Sequence, residues 1–208
     1  MKNLSVAWWR SAALLLPAVT ILTSGFVGYL ENGHLLQTVQ ITRLRSYGGV
    51  TFEDLKALEL WRLAMAQLLH AKMFHMLYNA LCLGLLGVLL ERAIGPWRLL
   101  FLWLFAGGIA TAISPILVDA PWNVGTGASQ ATFAFAGCAG VLAARGAISG
   151  RWTVICVAVA VIPGSVLDLM SAGYLKPGHV LGGLLGMGYA ACLWRRQSPQ
   201  ALASKGED

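Results

Sequence analysis

The stretch GASQATFAFAGCAGVLAAR, residues 127 to 145, carries its polar side chains, Ser129, Gln130 and Thr132, at its start and no charge before Arg145. Between them lie small and apolar residues over a length close to the roughly 20 that a helix needs to cross the hydrocarbon core of a bilayer. Five more windows have the same character, at about 11–30, 68–90, 97–118, 152–170 and 177–194. The whole chain is 57% hydrophobic and 12% charged, with mean hydropathy +0.67, above the roughly 45–50% apolar content of soluble domains. The pattern predicts an all-α, polytopic membrane protein, a bundle of six transmembrane helices with lipid as its natural solvent.

The expected organisation is a cytoplasmic N-terminal segment over 1–10, a six-span membrane domain over 11–196 and a cytoplasmic tail over 197–208. The apolar stretch after Arg10 reads as a retained span rather than a cleaved signal. One long connection, about 31–67, holds most of the polar residues outside the spans, and Leu58 to Leu69 within it reads as a short interfacial helix. With the N-terminus inside, Lys2, Arg10, Arg92, Arg98, Arg145, Arg151, Arg195, Arg196 and Lys205 all fall on the inner side, as the excess of bases on cytoplasmic loops requires. This predicts a multi-pass inner-membrane protein with both termini cytoplasmic.

The net charge of +6 does not point to nucleic acid, because the bases form no stripe and flank apolar segments instead. Cys82, Cys138, Cys156 and Cys192 each sit inside an apolar window with no CxxC pair, and read as small buried hydrophobes. Glycines and alanines such as Gly107, Gly108, Gly182 and Gly186 predict close helix packing.

Polar side chains at membrane depth are costly and tend to be functional or paired. Span two carries His70, His75 and Asn79, span four opens on Gly127-Ala128-Ser129-Gln130, and span six opens on Gly178-His179. These spans run in the same direction, from outside to inside, so Ser129 and His179 lie at matched depth. A serine hydroxyl needs a base to become a nucleophile, and histidine titrates in the useful range. His75 and Asn79, spaced i, i+4, share one helix face and could donate to an oxyanion together with the Ser129 N–H. Gly127 leaves room for a peptide to approach. Each residue has a plainer reading: Ser129 bonding a carbonyl one turn back, His179 at the interface, or the histidines as metal ligands, although no carboxylate is expected near them and His70 and His75 are off one face at i, i+5.

The ordered set Trp61-Arg62, His70, His75-xxx-Asn79, Glu91 with Gly95, Gly127-Ala128-Ser129 and Gly178-His179 with Gly182 and Gly186 resembles the rhomboid family of intramembrane serine proteases over about residues 58–196. The resemblance implies a Ser129–His179 dyad, with His75 and Asn79 stabilising the oxyanion and His70 supporting a hydrophilic cavity open to the outer, periplasmic side. It implies no cofactor, no metal and no catalytic aspartate. The imidazole is then oriented by packing, with Phe133, one turn after Ser129, stacked on it where family members often carry Tyr. Gly182 and Gly186 would pack span six on span four. Trp61 and Arg62 look like the anchor of the first loop. The partners implied are transmembrane protein substrates and the bilayer. Gln130 departs from the glycine that usually follows the nucleophile, and the rival reading is an inactive rhomboid-like protein that binds transmembrane helices. Pro163-Gly164 interrupts the fifth span, which with the long loop reads as the movable boundary for substrate entry.

Overall fold

The computed structural model describes residues 11–35 and 38–195. The expected cytoplasmic segments, 1–10 and 197–208, and with them Lys2, Arg10, Arg196 and Lys205, lie outside the described residues. Six long helices form an all-α polytopic bundle: α1 (Ala12–Asn32), α2 (Met73–Ile94), α3 (Pro96–Ile113, with a π turn at Trp103–Gly107), α4 (Ser129–Ala144), α5 (Gly150–Ala172) and α6 (Pro177–Arg195). By length and composition α1, α2, α3 and α5 can each cross a membrane. Helix α4 has only 16 residues, about 24 Å of rise, short of the roughly 30 Å hydrocarbon core.

Helix α4 is the axis of the bundle, packed by α2, α3, α5 and most closely by α6. Its small residues make this possible: Ala131, Ala134, Cys138 and Ala139 are fully buried around Phe135. On the seam with α6, a methyl group on Gly182 would lie 2.5 Å from the Gln130 carbonyl oxygen, and one on Gly186 would overlap the backbone of Ala134. The backbones therefore touch where the sequence places glycine, the arrangement that small residues permit in lipid.

Helix α1 is tied to α2 by a carboxylate. The first N–H groups of a helix have no partner of their own, and Glu91 Oε2 accepts from the Ala13 N–H at 2.6 Å and from the Ser11 hydroxyl at 3.2 Å. A negative group at this position also complements the helix dipole. In α5 the expected interruption is absent: the helix runs unbroken through Pro163. Proline removes the N–H that would bond the carbonyl four residues earlier, and the Tyr78 hydroxyl of α2 donates to that Val159 carbonyl at 2.5 Å. The cysteines differ from expectation at one position. Cys82, Cys138 and Cys156 are buried but Cys192 is exposed on α6, where a small apolar side chain is as well suited to lipid as to a core.

The long connection is ordered by charge. Arg62 opens the short helix Arg62–Leu68, donates to the carbonyls of Arg45 and Gly49 at 2.7 and 3.0 Å, pairs with Glu59 and lies 4.6 Å from the Trp61 ring centroid. This is the loop anchor that the Trp61-Arg62 pair suggests. Asp54 closes a capping box with Thr51 and accepts from Arg45 Nη2 at 2.8 Å. Val50 then pairs in antiparallel fashion with Gly125, at 3.0 and 2.7 Å, so the loop braces the segment leading to Ser129.

Burial pushes the Asp54 carboxyl up, but the hydrogen bonds from Arg45 and Thr51 and the charge of Arg62 outweigh it and hold the group below the usual carboxylate range. A carboxyl whose folded pKa is depressed stabilises the fold above its unfolded value, about 3.9, and that contribution fades as pH falls through the folded value. Below about pH 4 the loop is thus expected to loosen, read as faster limited proteolysis within residues 40–60 of the detergent-solubilised protein. Asp54→Asn should cut faster than wild type at pH 7 and lose most of the acid dependence. Equal cleavage of the two proteins at neutral pH would count against this role.

Candidate active site

Ser129 is the first residue of α4 and His179 lies in the first turn of α6. The glycine seam brings these helix starts together, and Ser129 Oγ lies 2.8 Å from His179 Nε2, with both residues buried. Phe133, one turn after Ser129, stacks on the imidazole with centroids 4.4 Å apart and planes 6° from parallel. Room for that ring comes from α5, where a methyl group on Gly164 would fall 2.9 Å from Phe133 Cε2. Gly164 thus serves packing rather than a break in the helix.

The turn before Ser129 is held by His70, which lies ahead of α2 rather than within it. Its Nε2 accepts the Ala128 N–H at 3.1 Å, so the ring proton is on Nδ1 and points to Ser24 Oγ at 3.2 Å, while the Ser24 hydroxyl donates to the Leu68 carbonyl at 2.6 Å. Gly127 adopts φ +100° in this turn, a conformation glycine takes without strain. The Asn79 amide lies 3.4 Å from His70 Nε2 and the His75 ring centroid lies 6.0 Å from that of His70. These two groups line up on His70, and neither hydrogen-bonds Ser129, whose hydroxyl has His179 and Gln130 as partners among the described residues.

Gln130 is buried and turns toward the end of α3. Its Oε1 lies 3.2 Å from Ser129 Oγ and accepts from Thr111 Oγ1 at 3.4 Å, while its Nε2 donates to Ser114 Oγ at 3.0 Å. The serine hydroxyl has one proton and two acceptors for it, the imidazole being the closer.

One residue of this cluster does not emerge from the sequence reading. Asp168, near the end of α5 and 1% exposed, places Oδ2 2.5 Å from His179 Nδ1. The same oxygen accepts the Lys176 backbone N–H at 3.0 Å, and Lys176 Nζ lies 3.5 Å from Oδ1. This corrects the expectation of no carboxylate near the histidines. The signal was present: Asp168 is an acid inside an apolar window, where it is costly unless paired. Both His70 nitrogens are engaged by protein groups, and no cluster of three or more potential metal ligands occurs among the described residues.

The comparisons with known proteins bear on the same region. The family model described as "Rhomboid domain" matches residues 57–196, which contain every residue of the site except Ser24. A relative named "RHOMBOID-like protein 4", from Arabidopsis thaliana, is 33% identical over 95 residues, 45% of this chain and 24% of that protein, so the chain corresponds to only a part of this relative's length. With the helical bundle, the ordered polar residues and the match over most of its length, the chain belongs to the rhomboid family.

Proposed function

We propose that the chain is an intramembrane serine protease that hydrolyses peptide bonds in or beside transmembrane segments of other membrane proteins. The observation that carries the reading is the 2.8 Å contact between Ser129 Oγ and His179 Nε2 beneath the Phe133 ring, the reach a general base requires. Ser129 attacks the scissile carbonyl as its proton passes to Nε2, and the imidazolium then protonates the leaving amine. Water repeats the sequence on the acyl-enzyme. The Ser129 N–H, at the start of α4, is the oxyanion donor nearest the nucleophile, with His75 and Asn79 of α2 as the side-chain candidates. The site opens to the outer side of a cell inner membrane, both termini are cytoplasmic, and the six spans over 11–196 form the membrane domain. The short α4 leaves Ser129 below the outer surface, where water must enter through a cavity lined by protein.

The second reading, a non-catalytic rhomboid-like protein that binds transmembrane helices, is favoured by one contact: Gln130 Oε1 competes for the Ser129 proton. Fluorophosphonate labelling separates the two. Purified wild type is expected to label at Ser129, and Gln130→Gly, which removes the competing acceptor, is expected to label at an equal or several-fold higher rate. A silent wild type beside a reactive Gln130→Gly protein would reverse the assignment in favour of an inactive family member.

A further inference from the structure

We propose that Asp168 is a positioning residue that completes the dyad as a triad, a role that rests on the protease reading of Ser129 and His179. A neutral imidazole has two tautomers, and only the one protonated at Nδ1 offers its Nε2 lone pair to the serine. Stacking on Phe133 fixes the plane of the ring but is blind to which nitrogen holds the proton. A carboxylate 2.5 Å from Nδ1 is not: it accepts only from an N–H, so it selects the useful tautomer and opposes the charge that forms on the imidazole.

Asp168 is built to stay ionised. A buried carboxylate is costly unless paired and hydrogen-bonded, and this one accepts the Lys176 N–H and faces the Lys176 ammonium at 3.5 Å. The bend at Gly173, φ +76°, returns the chain from α5 to α6 within a few residues, so Asp168, Lys176 and His179 meet on one short connection. During acylation the Ser129 proton moves to Nε2 as the Oγ–C bond forms. The Nδ1 proton stays where it is and Asp168 remains an anion throughout. The same Nε2 proton then leaves on the amine.

The other titratable groups that face the imidazole are Lys176, which shares the Asp168 carboxylate with it, and His75 on α2, which in turn has Lys72, just ahead of α2, as a neighbour. Helix α4 faces it with the uncharged Ser129 and Phe133, and Ala110 of α3 with Ser114 just past its end packs against Gly178 on the first turn of α6. With these unchanged, Asp168→Asn should lower kcat by about 10² to 10⁴ with KM within threefold. It should also move the acid limb of the kcat/KM profile to lower pH, because loss of a neighbouring anion makes an imidazolium easier to deprotonate. Lys176→Met should move that limb the other way, since the carboxylate is then less neutralised. A residue that serves only folding would lower the plateau and leave the limb in place.

The experiment uses the full chain in detergent, a model transmembrane substrate, and ¹⁵N shifts of the His179 ring. Asp168→Asn activity within threefold of wild type with an unmoved limb would overturn the proposal. If Asp168→Asn does not fold, Lys176→Met decides, and an unmoved or lowered limb in that variant overturns it. A wild type that neither cleaves nor labels would defeat the protease reading separately. In that case the ring shifts still test the contact: Nδ1 should be the protonated nitrogen in wild type, and His179 shifts unaltered by Asp168→Asn would overturn it.

Discussion

Ser129→Ala and His179→Ala are each expected to lower cleavage of a model transmembrane substrate by about 10⁴ or more, and the double variant by no more than the worse single one. The reason is chemical rather than additive. Without the hydroxyl there is no oxygen to form the acyl-enzyme, and without the imidazole the hydroxyl 2.8 Å away has no base close enough to take its proton in the required direction. Gln130 Oε1, the other neighbour of Ser129 Oγ, is an amide oxygen of negligible basicity and does not substitute. Ser129→Ala removes one hydroxyl and leaves the glycine contacts of the α4–α6 seam in place, so its thermal unfolding should shift by only a few degrees. His179→Ala also strips the buried Asp168 carboxylate of a partner and should unfold at a lower temperature. Single-turnover cleavage and fluorophosphonate labelling give the measurement. Residual turnover within tenfold of wild type in either single variant would remove that residue from its assigned role.

Much of this site is legible in the sequence because membranes make polar residues conspicuous. Ser129, His179, His70 and Asn79 stand out as the few hydrogen-bonding groups in apolar windows, and equal depth on parallel helices suffices to pair two of them across fifty positions. Phe133 is suggested by the family resemblance together with its place one turn after Ser129, and its ring stacks on that of His179. What escapes is what the three-dimensional path decides. Asp168 reads as one more outer-side acid until the turn at Gly173 brings it under His179. Gln130, adjacent to Ser129 in sequence, looks as if it should stand beside the site. Its partners Thr111 and Ser114 come from another helix, and the fold turns its amide back onto the serine. Pro163 reads as a break because the sequence gives no hint that Tyr78, from α2, takes up the carbonyl it frees.

Gly186→Val is expected to inactivate the protein from a position that touches no reacting atom, while Gly188→Ala, one half-turn on, is expected to be harmless. A methyl on Gly186 would overlap the carbonyl of Ala134, and its next contacts, the Ala134 C and Cα at 2.7 and 2.9 Å, are backbone as well. Backbone in the middle of a helix has no rotamer to change, so α6 must move away from α4. A shift near 1 Å is enough to lengthen a 2.8 Å hydrogen bond beyond useful reach, and misplacement of that size costs on the order of 10² in rate. Overpacking of a tight seam also destabilises by about 1–3 kcal/mol. At Gly188 the balance reverses, because nothing lies within 4 Å of an added methyl and alanine is favoured over glycine in a helix by about 1 kcal/mol. The pair is read by thermal unfolding in detergent together with cleavage of the model substrate. A Gly186→Val protein that retains wild-type turnover would show that the α4–α6 contact does not hold Ser129 and His179 in register.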